Sequence, residues 1–433
     1  VQENLRRCAC CVSRDVGIEP FDPMTHCTNQ ILSPSILIVG ASVRALAESA
    51  VRGGWSVDAI DLFADADLGL IARQSMRVPD YPGGLVKAAS LMPQGPFTYT
   101  GALENHPDVI EHIQENNAST DHQNTFRTLI GNSPEVLRVI RNPSCWIESF
   151  THSGFSVPTT TRAFETVPTD SSFLVKPILS AGGIGIEAWT HEAADGPPRE
   201  QHLWQQRIEG ESFSATVIIT PSQTTLIGIA RQLIGEKVFH SSAYHYCGSI
   251  TAPFDSHLAH FMRTLADFLA ERFGLLGAVG IDFVVDANRT PWIVEINPRP
   301  TASMELWERT GTFSLANEHF HSFGLQSPQP HMPQEIAVGS SHIVSWGKAI
   351  YFAAHDFFFS DYAARLLRFT IDPWNIDTQP WRATADIPQE NEHFRQGSPV
   401  LTFFACGTSH AACRELLTHR AMILDRFFDR YSC

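Results

Sequence analysis

Gly277-Ala-Val-Gly-Ile-Asp-Phe-Val-Val-Asp286 and Pro291-Trp-Ile-Val-Glu-Ile-Asn-Pro-Arg-Pro300, parted by Ala287-Asn-Arg-Thr290, decide how the rest of the chain is read. Two β-rich runs around a short polar break are the local signature of a hairpin. A tight turn on Asn288-Arg289 sets a register in which Val285 opposes Trp292, Phe283 opposes Val294 and Asp282 opposes Glu295. Strand side chains alternate between faces, so Asp282, Glu295 and Asn297 share one face, with Gly280 opposite Asn297 leaving room beside it. The other face carries Val279, Ile281, Phe283, Val285, Val294 and Ile296, and suits a core.

Two carboxylates directly opposite each other repel and need compensation. Hard oxygen ligands on rigid strands are what Mg²⁺ sites bound to nucleotide phosphates use. A solvated face of idle acids is the plainer reading for one acid on a strand. It explains poorly a Glu between Val294 and Ile296 that is followed at once by Asn-Pro-Arg-Pro.

With 433 residues the chain has room for two to four domains around a large core. Its formal charge of -15 argues against a nucleic-acid backbone or an anionic membrane as main partner. No apolar run approaches a membrane span, and the first residues lack the apolar segment of a secretory signal. The odd count of 9 cysteines, without regular spacing, fits reduced thiols and a cytoplasmic location. Cys8, Cys10 and Cys11 have no second ligand pair nearby, and residues 1–33 are expected to form a disordered tail.

In chain order, residues 36–39 read as a strand, Gly40-Ala-Ser42 as a turn, 43–52 as a helix stopped by Gly53-Gly54, and 56–60 as a second strand before Asp61. Dinucleotide folds begin this way, but Ser42 and Ala45 stand where their fingerprint has glycines. A Rossmann-like unit is expected and NAD binding disfavoured. Glu104 and Asn105, beside Gly101, either line a substrate cleft or sit in a plain capped loop. Ser133 and Pro134 mark a helix start. Residues 173–177 read as a strand that carries Lys176 into Ser180-Ala-Gly-Gly-Ile-Gly-Ile186. Such a loop can lay backbone N–H groups against phosphate oxygens, although a flexible hairpin would look the same. It is not a P-loop, since neither Gly-Lys-Ser/Thr nor a helix follows. Strands over 212–219 and 225–234 and an amphipathic helix over 256–272 lead to the hairpin. His240, His245 and Cys247 match no ligand spacing. Residues 327–333 are proline-rich, 336–352 and 397–405 β-rich, and 411–431 helical. Phe357 to Phe359 and Phe427-Phe428 are expected in a core or interface.

Together these pieces resemble the ATP-grasp superfamily, which includes D-alanine–D-alanine ligase, biotin carboxylase and the carbamoyl-phosphate synthases. The resemblance rests on Lys176, the loop 180–186, the stretch 206–211 and the Asp282…Glu295-Ile-Asn297 set, whose acid spacing those ligases use. It implies an α/β and α+β multidomain protein: a Rossmann-like pre-ATP-grasp domain over 34–114, a two-subdomain ATP-grasp fold over 115–325 and a β-rich C-terminal α+β domain over 326–433. ATP would lie between the two subdomains. Lys176 would sit near the α-phosphate and adenine, and Ser180, Gly182, Gly183 and Gly185 would belong to a loop closing over the β- and γ-phosphates. Gln206, Arg207 and Ile208 would pass the adenine edge. Glu211 is the candidate ribose contact, one residue before the family's usual position. Asp282, Glu295 and Asn297 would hold Mg²⁺, or Mn²⁺ in its place. Arg231 is the candidate γ-phosphate contact, and Arg299 the candidate for phosphate or substrate carboxylate. The family's earlier lysine is missing, and Arg138 or Arg141 is its stand-in.

The implied chemistry joins a small-molecule carboxylate, through an acyl phosphate, to an amine or similar nucleophile. A carboxylase or phosphoryl-transfer enzyme on the same nucleotide site is the alternative within enzymes, and a non-catalytic nucleotide-binding module the alternative outside them. Neither nucleic acid nor membrane is an expected partner, and a homodimer is left open.

Overall fold

Short apolar strands alternating with helices open the chain. The computed structural model describes residues 33–115, 127–195, 201–310, 313–328, 344–375 and 381–431. In it β1 (Ser35–Val39), α1 (Arg44–Arg52), β2 (Ser56–Asp61), α2 (Ala66–Ile71), β3 (Gln74–Arg77), α3 (Gly84–Ser90) and β4 (Phe97–Tyr99) build a parallel sheet of order β3-β2-β1-β4 with its helices. The turn after β1 needs Gly40, because a Cβ there would lie 2.1 Å from Thr100 Oγ1. Asp61, placed like a dinucleotide-binding acid, accepts instead from the backbone N–H groups of Phe63 (3.1 Å), Val43 (3.4 Å) and Ala64. Fully buried and so engaged, it is not free for a ribose.

Three helices follow, α4 (Pro107–Glu115), α5 (Pro134–Ile140) and α6 (Pro143–His152). Pro134 begins α5 as expected, though the Ser133 hydroxyl caps no backbone N–H. A small antiparallel sheet comes next: β5 (Thr160–Thr161), β6 (Asp170–Pro177), β7 (Glu187–Thr190), α7 (His191–Ala194) and β8 (His202–Gln206), in the order β5-β8-β6-β7. Val175, Trp189 and Trp204 pack one face into a core of its own. The opposite face stays open to a cleft.

All but two of the remaining strands share one sheet. β9 (Glu211–Ile219), β10 (Thr224–Ile234), β11 (Tyr246–Ala252), α8 (Ser256–Phe273), β12 (Gly277–Val285), β13 (Pro291–Asn297), α9 (Glu305–Glu308) and α10 (Leu315–Ser322) come first. β14 (Ser345–Phe352), β15 (Phe357–Phe359), α11 (Asp361–Ile371), β16 (Thr384–Ala385), β17 (Glu392–Phe394), β18 (Pro399–Gly407) and α12 (His410–Tyr431) complete the chain. β15 and β17 pair with each other in a small two-stranded sheet. The order of the large sheet is β13-β12-β9-β10-β11-β14-β18-β16, so strands from beyond residue 326 extend the sheet that carries the hairpin. Its core on one side comes from α8, whose Met262, Leu265 and Leu269 recur at helical spacing and pack on Val217, Val279, Ile281 and Phe283. Asp255 caps α8 by accepting from Leu258 N–H (2.9 Å), and Gly274, at φ +69°, ends it. Phe357 and Phe359 share a core with Phe427 and Phe428 of α12. Among the described residues no helix is long and apolar enough to cross a membrane.

The hairpin departs from its expected register at one place. Gly280 opposes Asn297 and Asp282 opposes Glu295 as expected, but Phe283 then pairs with Ile293 and Val285 with Pro291. Val294 is the extra residue of a β-bulge and turns to the cleft, while Ile293 enters the core and donates its N–H to Ser156 O (2.9 Å). The loop holds three residues: Arg289 donates its N–H to Asp286 O (3.0 Å) and lies at φ +65°, where a plain two-residue turn on Asn288-Arg289 was expected. Cys8, Cys10, Cys11 and residues 1–32 lie outside the described residues, as do 329–343 with most of the proline-rich stretch.

Candidate functional site

The polar face of the hairpin looks into a cleft of about 850 Å³. Across the sheet, Asp282 stands in register with Ser214 of β9 on one side and Glu295 of β13 on the other. Gln232 Nε2 donates to Asp282 Oδ1 (3.1 Å) and Asn297 Nδ2 to Asp282 Oδ2 (3.0 Å). Gly280 is what lets Asn297 and Thr301 close in, since a Cβ there would meet Thr301 Cγ2 at 2.5 Å. Burial, and then the facing Glu295 charge, push the Asp282 carboxyl up to about 6. Glu295 is half-buried and accepts from Arg141 Nη1 at 2.7 Å. Two acids and an amide oxygen converging in a desolvated spot fit a hard divalent cation that is completed by phosphate oxygens. Among the described residues no group of three or more His, Cys, Asp or Glu side chains could hold a metal by itself.

Facing the acids, the small sheet offers Leu174, Lys176 and Gln205. Lys176 Nζ donates to Gln205 Oε1, and Gln205 Nε2 reaches Thr160 Oγ1 at 3.3 Å. Burial lowers the Lys176 ammonium below its ordinary value, against the pull of Glu295 and Asp282. Of the glycine loop, Gly182 and Gly183 line the cleft. Gly183 sits at φ +79°, where a Cβ would lie 2.0 Å from Tyr244 O. Ser180 and Gly185 lie off the cleft: Ser180 Oγ donates to Ile184 O (2.6 Å), and Gly185 packs against Pro177. Gln206, Arg207 and Ile208, leaving β8 for β9, form the cleft's connecting wall.

The arginines separate. Arg299, beside Gly101, pairs with the fully buried Glu104 at 2.7 Å and lines the cleft. Arg231 pairs with Glu211 at 2.8 Å, and neither belongs to the lining. Of the two stand-ins, Arg138 is held at the surface by Asp108 and Glu111, both at 2.6 Å. Arg141, at the C-terminal end of α5, reaches the acids. Gln205 and Ser214 were not expected at the site; alternation along β8 and β9 marks their face, but only the strand pairing aims it at the cleft. A second group lies further along the same wall. Arg44 donates to Asp386 and Glu305 (both 2.8 Å), and Lys348 also pairs with Glu305, which joins α1, α9, β14 and the segment after β16.

Two layered sheets closing over a cleft, one with paired acids and one with a lysine and a glycine loop, are the architecture of ATP-grasp proteins. Residues 145–303 match the family described as ATP-grasp domain. Solved structures with the same fold include N5-carboxyaminoimidazole synthetase from Staphylococcus aureus complexed with ADP, at 14% identity and TM-score 0.63, over 90% of this chain and 97% of that one. The L-amino acid ligase from Bacillus licheniformis matches at 12% identity and TM-score 0.60, over 93% and 98%. The biotin carboxylase domain of Hydrogenobacter thermophilus 2-oxoglutarate carboxylase, in complex with MgADP, ADP and bicarbonate, matches at 12% identity and TM-score 0.60, over 85% of each chain. No curated protein matches the sequence.

Proposed function

We propose that this protein is an ATP- and Mg²⁺-dependent ligase that joins a small-molecule carboxylate to an amine. The observation that carries the reading is the convergence of Asp282, Glu295 and Asn297 beneath Lys176 and Gly183 in one cleft. The two acids and the amide oxygen would hold Mg²⁺, which when bound neutralises phosphate charge. Lys176 and Arg141 would bind phosphate oxygens, the 206–208 wall would take the adenine, and Arg299 would orient the substrate carboxylate. That carboxylate attacks the γ-phosphorus, ADP leaves, and the amine nitrogen then forms the C–N bond as phosphate departs. Most of what the protein does is hold reactants together and exclude water. Bicarbonate in place of an organic acid is the second reading, supported by the bicarbonate in the carboxylase-domain complex.

A thermal-shift titration separates the nucleotide readings. Mg²⁺ with ADP is expected to stabilise the protein by about 2.7 kcal/mol at a hundred times Kd, and NAD is expected to leave it unchanged. Absence of a shift with ADP or ATP would sink the proposal. ADP release with panels of acids, amines and bicarbonate then assigns the reaction. Gly183→Ala should lift the glycine loop off Tyr244, because its Cβ has no room and its φ of +79° is strained for alanine. The expected result is a roughly tenfold weaker ADP affinity with little loss of Tm, since the strain is relieved by moving an exposed loop. Unchanged ADP affinity would count against the loop's part in binding.

A further inference from the structure

The geometry points to Asn105 as a positioning residue that ties the glycine loop to the acids of the metal site, an inference resting on the nucleotide reading above. Asn105 ends the short turn Leu103–Asn105 and is only 6% exposed. Both ends of its amide are used. Nδ2 donates to Ser180 O at 3.0 Å, at the start of the glycine loop. Oδ1 accepts from Arg141 Nε at 2.9 Å. Arg141 Nη1 in turn donates to Glu295 Oε1 at 2.7 Å and to Ile296 O at 3.2 Å. Three hydrogen bonds therefore run in series from Ser180 through Asn105 and Arg141 to Glu295, and they cross from the small sheet through the N-terminal unit to the large sheet.

The series has a direction built into it. Ser180 O can only accept and Arg141 can only donate, so the residue between them must both donate and accept on one short side chain. A carboxylate could serve Arg141 but not Ser180. Were Glu295 to turn towards a bound cation, Arg141 would give up a charged partner and keep Asn105 as its anchor. Occupancy of the acids would then be felt at the loop. The preceding residue does a parallel job, for Glu104 seats Arg299. One turn of the N-terminal unit thus holds Arg299, which lines the cleft, and Arg141, which reaches Glu295.

Hydrogen exchange of residues 180–186, in Asn105→Asp and Asn105→Ala beside the natural protein, tests this. Without ligand, loop exchange should rise about fivefold in both variants, the effect of losing one hydrogen bond, with strands β9 to β13 unchanged. With ADP present, adding Mg²⁺ should slow loop exchange in the natural protein and leave it unaltered in Asn105→Ala. ADP affinity should keep its Mg²⁺ dependence in Asn105→Asp, which preserves the acceptor for Arg141. Natural loop exchange in Asn105→Asp, or a uniform rise over the whole chain, would overturn the inference and leave Asn105 a packing residue. Should Asn105→Ala fail to fold, Asn105→Asp decides alone. Should the natural protein not bind ADP, the nucleotide reading fails, while the ligand-free comparison still judges the tether.

Discussion

Glu295→Gln is expected to lower Mg²⁺-dependent ATP turnover by about a thousandfold or more, the scale of losing a group that neutralises transferring phosphate. The substitution keeps size and an acceptor oxygen for Arg141, so the surrounding hydrogen bonds can persist. What disappears is one of two charges facing a common point. Asp282 feels the change directly: burial still raises its carboxyl, but the second cause of its rise to about 6, the Glu295 charge, is gone. Relief of that repulsion offsets the loss of the Arg141 ion pair, so Tm should change little. Loss of function without loss of stability is the signature of a ligand rather than a structural acid. A Glu295→Gln protein that still needs Mg²⁺ to bind ADP tightly would remove Glu295 from the site.

Arg299→Met should instead act on stability, by about 3–5 kcal/mol, because it strands a charge inside the protein. Glu104 is 1% exposed and Arg299 its ion-pair partner. Burial works against the Glu104 carboxylate, yet the Arg299 charge, their hydrogen bond and the more distant Arg141 hold its pKa below the ordinary value. A depressed carboxyl stabilises the fold above its unfolded pKa and loses that effect as pH falls through its folded value. Without Arg299, burial dominates and the carboxyl moves above its unfolded value, so the variant's deficit grows as pH rises from about 4.5. Melting curves at pH 5 and pH 8 check this: the Tm gap to the natural protein should be clearly wider at pH 8. A gap independent of pH would mean that Glu104 is neutral or finds another partner. Glu104→Gln combined with Arg299→Met should recover part of the loss, since no bare charge is then buried.

The hairpin was legible because period-two alternation needs no knowledge of distant strands. Asp282 faces Glu295, and Gly280 faces Asn297, as the spacing requires. The bulge at Val294 was not legible, since it follows from a bond between Ile293 and Ser156, far apart in the chain. Lys176 and Gly183 announce themselves by residue type. Gln205 and Ser214 do not, and only strand pairing brings them to Lys176 and Asp282. Arg138 and Arg141 lie three residues apart on one helix end, and no local pattern says which turns outward. The acids of α4 decide it by capturing Arg138. Arg231, read as a phosphate contact, has a sequence-distant neighbour in Glu211 that spacing along the chain could not reveal.

The join between β11 and β14 limits where this molecule can be taken apart. Gly248 to Ile250 bond to 347–349, and Leu233, Cys247 and Ile250 bury themselves among Tyr351, Phe403 and Leu417. A fragment ending near residue 325 would keep every cleft-lining side chain from Lys176 to Arg299 and yet display a raw, greasy strand border, ready to recruit another chain. Shuffling this part of the chain onto a foreign C-terminus therefore demands a replacement for β14, and a flexible tether alone is expected to yield aggregates.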